Sequence, residues 1–569
     1  MLRGLKYIAI TYFLAAFAFT IYAVGHYPTV HLADLVFDDA YYYLGVAWNI
    51  AQGHGSTFGN LVQTNGYQPL WLLILAAVLA VFSLSKVWAL AVVPLLTLLI
   101  KIVAVARIDV RKSAEGAAFF IALVAILLLC QNTFMHGLET ILLLLFLPLI
   151  SQLKPYPEQF SPATCVKYAA IFLVLFLARL DALALAGAFA LLVVISRRKH
   201  VVSNLALTLG LTLAGVLVYF AVNYTLLGTI VPVSGQAKAI GNRVGENLPV
   251  LLNYLLAGRI AIAAIILVFI LKAGVRKNAI GPLPFSGELK LIALGTVAIA
   301  SYYALFSGWP VWGWYYWPVA LVTLYALTQV GYLSMVLYKQ SMSSWTSKLL
   351  SVVGWGFIGY VLLLGVRTEM AHDANPFYSM LKKTSDQSFN AMNVRLIDDF
   401  FSKMPDGVVA MGDRAGGLGY WLPERFKFFH TEGLVANKEY IDARKAGTGL
   451  QFLKGMGIKY FVVERERLLE ARDKDGTVVH GIVEPVQGLS VHSGQLLICL
   501  PESSILYSQD YGQQIRRVYD FTKLVECPNE IRNEADRLSQ AYGELRKYSL
   551  PSEYGENWTL MKYIKSNPF

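Results

Sequence analysis

Twelve apolar segments recur through the first two thirds of this 569-residue chain, and they decide what it can fold into. They run at 8–24, 69–83, 87–106, 115–131, 138–152, 166–178, 182–196, 203–223, 250–272, 290–306, 313–337 and 349–366. About 20 apolar residues in a helix cross the hydrocarbon of a bilayer. A chain that is 56% hydrophobic and only 15% charged is not an ordinary soluble protein. The expected fold is therefore a polytopic α-helical membrane protein. The stretch after Met1-Leu2-Arg3 has no small-residue cleavage site of the A-x-A type and is expected to stay as the first span.

Basic clusters set an expected orientation. Arg3 and Lys6, Arg197-Arg198-Lys199, Lys272 to Lys277 and Lys339 to Lys348 mark cytoplasmic ends. Counting from them places the loop 26–68, the Arg179 corner, Thr225–Pro249, Ser307–Gly313 and everything after Arg367 outside. An inner N-terminus and an outer C-terminus need an odd number of spans, so one of the short segments among the twelve is expected to be re-entrant or merged with its neighbour, and about 11 spans are expected. The formal charge of +11 belongs to these flanking residues. Contact with a lipid bilayer is expected and nucleic acid is not.

Past about Met370 charges become frequent and strand and helix signals alternate. Val408–Met411, Phe426–Phe429, Tyr460–Val463 and Gln495–Leu500 read as strands, and Asn529–Lys547 as a helix. The chain thus divides into a transmembrane region, 1–369, and a C-terminal soluble α/β domain, 370–569. Cys130 and Cys165 read as buried bystanders. Cys499 and Cys527 share the C-terminal domain and could pair in an oxidising compartment. None of the four has metal-ligand spacing. No cofactor is expected, and a divalent metal requirement is left open.

Acids are scarce in such a chain, which singles out the stretch Phe37–Trp71. Asp38 and Asp39 open a helical run rich in Tyr and Trp, followed by a turn-rich arm through Gly53, Gly55, Gly59, Asn60, Asn65 and Gly66. Capping explains one aspartate, because only one residue can be the N-cap. Asp38 is the better placed cap, and Asp39 the better candidate for a general base at the membrane–water boundary. Tyr42, Tyr67 and His54 of the same stretch are candidate substrate contacts, although aromatic belts gather at headgroup depth for unrelated reasons. Arg179 and Asp181 in LARLDAL and Glu139 in HGLET are charges at membrane depth, which serve either a site or a structural ion pair. Lys238, a lone cation in a loop, and Arg179 are the candidates for holding a phosphate. Trp312 and Tyr315, in the aromatic run 309–317, are candidate substrate contacts or an interfacial belt. The glycine-rich run Gly412–Gly419 lacks the registers of nucleotide loops and reads as a tight strand-to-helix turn.

The order DDAYYYLGVAWNIAQGHG…TNGYQPLW, HGLET, ARLDAL, GTIVPVSGQAKA, MGDRAGGLGYW…TEGLVANKEY resembles the GT-C superfamily of integral-membrane glycosyltransferases. It is most similar to the branch with bacterial arabinofuranosyltransferases. The resemblance implies a GT-C fold in a bacterial inner membrane, with the active site on the extracytoplasmic side. It implies an inverting transfer of a sugar, arabinofuranose among the candidates, from a polyprenyl-phosphate donor to a glycan, lipid or protein acceptor. An aspartate of the first outer loop, here Asp38 or Asp39, would be the base. The sequence departs from the pattern at RLD, where R-P-D/E is usual, and at VPVSGQAK, where an Asn-Thr form is common, so the sugar is left open. The rival expectations are a transferase moving a whole lipid-linked oligosaccharide and a transporter with an outer domain. A transporter should show two related halves, and the sequence has no such internal symmetry.

Overall fold

The computed structural model describes residues 2–110, 113–131, 133–134, 137–154, 161–195, 199–240, 244–245, 247–275, 282–309, 311–340, 344–371, 388–465, 468–484, 496–510 and 515–537. The chain is mostly helical, with a sheet region after Ser388. Six helices are long and apolar enough to cross a membrane: Leu2–His26, Lys86–Ala106, Asn204–Leu227, Ser286–Phe306, Gly313–Gln340 and Trp345–Thr368. A seventh candidate is a pair, Pro249–Ala257 and Arg259–Ala273, bent by 58° at Gly258. Pro69–Phe82, Ala114–Leu129, Pro162–Ala178 and Leu180–Ile195 are shorter apolar helices.

The expected segment 138–152 does not form one helix. It breaks into Glu139–Ile141, Leu142–Leu145 and Leu147–Ile150, each far below spanning length. The break follows from its first residues, since Glu139 and Thr140 are buried among polar partners rather than along a helix face. The other eleven apolar segments are each helical.

Gly313–Gln340 is the hub of the bundle, with 83% of its apolar window buried, against 22% for Asn204–Leu227 and 28% for Trp345–Thr368. It is apolar all round, as a core helix should be. Its polar residues Thr323, Thr328 and Ser334 donate to the carbonyls of Val319, Leu324 and Val330 one turn back, which satisfies them without an external partner. The peripheral helices instead turn large apolar side chains outward, among them Leu217, Val218, Val352 and Leu363. That pattern suits a hydrocarbon solvent.

In the C-terminal region β1 (Gly407–Met411), β2 (Phe426–His430), β3 (Ile458–Arg465), β7 (Ile505–Asp510) and β8 (Ile515–Asp520) form one sheet in the order β2-β1-β3-β8-β7. β1 pairs in parallel with both β2 and β3, and the remaining pairs are antiparallel. β4 (Leu469–Arg472), β5 (Val478–Glu484) and β6 (Leu496–Pro501) make a second, antiparallel sheet. A disulfide joins Cys499 of β6 to Cys527. Residues 529–537 are helical, and the rest of the expected helix to Lys547 lies outside the described residues.

From β1 the chain crosses to β2 on one side through Gly416–Trp421, then to β3 on the other through Lys438–Lys445 and Gly449–Gly455. The direction of winding reverses at β1. In parallel sheets the carboxyl ends of the strands at such a point form a ligand crevice. Here the chain after β1 and the end of β2 lie against the helix Asp38–Ala51.

Candidate active site

The helix Asp38–Ala51 begins without a side-chain cap. Phe37 occupies the N-cap position in extended conformation, and Asp38 is the first helical residue. The expected division, Asp38 as cap and Asp39 as base, therefore fails on its first half. The Asp38 carboxylate instead reaches the C-terminal domain, where Oδ1 accepts from the Gly417 amide at 3.2 Å. Its Oδ2 accepts from the Tyr42 hydroxyl at 2.9 Å, one helical turn on. A Cβ on Gly416 would lie 2.4 Å from the Asp38 carbonyl oxygen, so the glycine-rich turn after β1 owes its composition to this close approach.

The same Tyr42 hydroxyl lies 3.0 Å from Nε2 of His430, at the end of β2. His430 is buried, and its Nε2 is 3.8 Å from Oε2 of Glu432. Burial, reinforced by Arg444, pulls the His430 pKa down to about 3, so the imidazole is neutral at physiological pH and makes no ion pair with Glu432. Burial pushes the Glu432 carboxyl well up, and Asp413, Glu484, Asp39 and Asp38 push it further. Burial also raises Asp38 to about 6, against the pull of Tyr42 and the Gly417 and Gly416 amides. An acid with that affinity is mostly ionised at neutral pH yet takes a proton readily.

Lys238 lies on the short helix Val233–Ala239, within electrostatic reach of Asp39 and Glu432. Its Nζ donates to the Tyr315 hydroxyl at 2.7 Å and lies 5.7 Å from the Trp309 ring centre. Burial opposes its charge, but the Tyr315 hydroxyl and the carboxylates of Asp39 and Glu432 outweigh that and raise its pKa. The Tyr315 ring lies 5.4 Å from Lys238 and 5.8 Å from the Arg179 guanidinium.

Arg179 is fully committed. It donates to both oxygens of Asp181, at 2.9 and 2.8 Å, and to Oε1 of Glu139 at 2.6 Å. The other Glu139 oxygen accepts from Tyr43 at 2.8 Å, and Asp181 also accepts from Tyr303 and Trp317. These contacts join Arg179, Asp181 and Glu139 in one ion-pair cluster.

Trp312 is half-buried and stacks on Trp314 with ring centres 6.0 Å apart. The Tyr67 hydroxyl meets Ser56 Oγ at 2.7 Å and closes the arm. His54 is exposed in a narrow cleft with Trp48, Asn60, Lys86 and Glu424. That cleft lies at the far end of the Asp38 helix, about 20 Å along it, so His54 is not gathered with the acids. Sequence reasoning gave no role to His430 or Glu432. His430 ends β2 and Glu432 follows it in TEGLV, but only the tertiary structure brings the two to the Asp38 helix. Among the described residues no group of three or more His, Cys, Asp or Glu is arranged to hold a metal ion.

No protein-family model matches this chain, and no curated protein matches it either.

Proposed function

We propose that this chain is an inverting glycosyltransferase that moves a sugar from a polyprenyl-phosphate donor to an acceptor outside the cytoplasm. The observation that carries the reading is the meeting of two charge types at one place. Asp39 and Glu432 lie close enough to Lys238 to raise its pKa, and Asp38 in turn acts on Glu432. In this reading Lys238 binds the donor phosphate as a point charge. Asp38 takes the proton from the acceptor hydroxyl as the acceptor oxygen bonds to the anomeric carbon. The bond from that carbon to the phosphate oxygen breaks, and polyprenyl phosphate leaves with the electron pair. The displacement inverts the anomeric centre, and the charge growing on the leaving oxygen is met by Lys238. No nucleotide loop is needed, since the lipid phosphate is already the leaving group.

The membrane arrangement belongs to the same proposal. Eleven spans, counting the bent pair as one and including the four shorter apolar helices, put the Asp38 loop and the C-terminal domain on the outer side of a bacterial inner membrane. The Cys499–Cys527 disulfide supports that side, because disulfides persist in oxidising compartments.

The test is transfer by purified protein from a panel of radiolabelled polyprenyl-phosphate pentoses and hexoses, arabinofuranose included, to cell-envelope glycans. Asp38→Asn should abolish transfer, and Lys238→Ala should weaken donor binding at least tenfold. Absence of transfer from every donor would sink the reading, as would full activity in both variants.

A further inference from the structure

The chain from Asp38 through Tyr42 to His430 crosses from the membrane region to the C-terminal domain, and the reaction above uses only its first member. Its polarity is fixed by chemistry. A carboxylate only accepts, so when Asp38 is ionised the Tyr42 hydroxyl hydrogen points at Oδ2. The Tyr42 oxygen then has only lone pairs to offer at 3.0 Å, so in this arrangement the His430 proton sits on Nε2 and not against the Gly412 backbone, the imidazole's other partner. A neutral imidazole meets that condition with its single proton.

We propose that Tyr42 and His430 are positioning residues for Asp38: the domain's imidazole orients the Tyr42 hydroxyl, which in turn fixes the direction and the proton affinity of the carboxylate. The C-terminal domain is then a component of the active site and not merely a cover over it. Tyr42, expected from the sequence to touch substrate, has its hydroxyl engaged on both sides and acts through Asp38. His430 is not a proton relay, because burial makes imidazolium too unfavourable to carry the proton onward. The inference rests on the glycosyltransferase reading only for what Asp38 does with its proton. Its affinity for that proton can be measured without any substrate.

Several groups surround Asp38. Asp39 and Tyr42 come from its own helix, and the Gly416 and Gly417 amides with Asp413 come from the turn after β1. Glu432 follows β2, and Arg516 lies on β8. Asp413 disfavours the carboxylate, whereas Arg516 and the three donors favour it. Removing one donor therefore shifts the balance in a known direction, toward the protonated acid.

The experiment is labelling with dicyclohexylcarbodiimide, which modifies protonated carboxyls, across a pH series on the full-length detergent-solubilised protein. Fragmentation of the 37–51 peptide separates the Asp38 adduct from that on Asp39. In the wild type, half-labelling of Asp38 is expected near pH 6. Tyr42→Phe keeps the ring and deletes the donor, and should move the midpoint up by about one unit, a tenfold change in proton affinity. His430→Leu should move it the same way, and His430→Gln, whose amide N–H can replace Nε2–H, should restore it. An unmoved midpoint in Tyr42→Phe and His430→Leu overturns the proposal, as does failure of His430→Gln to restore what His430→Leu shifts. An Asp38 that never labels at pH 5 overturns it too. Shifts as expected in a protein that transfers no sugar would uphold the positioning and sink the glycosyltransferase reading. An active enzyme whose acid limb of kcat/KM ignores Tyr42→Phe would do the reverse.

Discussion

Arg179 offers a decisive perturbation because its two candidate roles predict opposite results. The guanidinium is buried and donates three hydrogen bonds to the buried Glu139 and the largely buried Asp181. Deleting one partner of a buried ion pair leaves uncompensated charge and costs about 3–5 kcal/mol. Arg179→Met should therefore lower the thermal midpoint of the purified protein by on the order of 5–10 °C. Combining it with Glu139→Gln and Asp181→Asn leaves no buried charge and should recover most of the loss, since neutral replacements of buried pairs are often harmless. Donor binding to Arg179→Met, read at a temperature where the protein is folded, should stay within a few-fold of the wild type. A stable single variant that no longer binds lipid-phosphate donor would refute the structural role and return Arg179 to the phosphate site.

Three further outcomes follow from the contacts described above. Gly416→Ala puts a Cβ 2.4 Å from a backbone oxygen that cannot swing away; hydrogen exchange at 412–421 should quicken, in line with a loss of about 1–3 kcal/mol, and unchanged protection would count against the close docking. Removing the Cys499–Cys527 bridge, which closes a loop with a sequence separation of 28, should cost the C-terminal domain about 3.5 kcal/mol by loop entropy, read by its denaturant midpoint in the Cys499→Ser/Cys527→Ser variant. For His430 the folded pKa of about 3 lies below the ordinary 6.5, so the unfolded chain binds the extra proton between those values and stability falls as pH is lowered through that window. About 3 kcal/mol should be lost by pH 4, seen as faster exchange of 407–430; His430→Gln should flatten the slope, and an equal slope would disprove the cause.

Much of this protein was legible in its residues. Apolar runs found eleven helical segments because hydrophobicity is a local property summed over a window. The strands Val408–Met411, Phe426–Phe429 and Tyr460–Val463 lie within observed ones for the same reason, as does Gln495–Leu500 apart from Gln495, which lies outside the described residues. The strands β4, β5, β7 and β8 were not legible, since short strands such as Leu469–Arg472 carry charged residues and alternate weakly. The segment 138–152 looked like a span by hydropathy, yet Glu139 is drawn into a cluster with Arg179 and Tyr43 that only the fold assembles.

The acid pair at Asp38–Asp39 was conspicuous in the sequence, whereas its chemistry was not. A local rule assigned Asp38 to capping, but the carboxylate turns to a glycine amide 379 positions away and to a tyrosine tied to His430. The sequence by itself determined where the apolar helices, the acidic stretch and Lys238 lie, because composition and spacing act along the chain. The tertiary structure alone decided which carboxyls are paired and which keep a perturbed proton affinity. Those properties depend on burial and on partners supplied by distant segments, and nothing local encodes them.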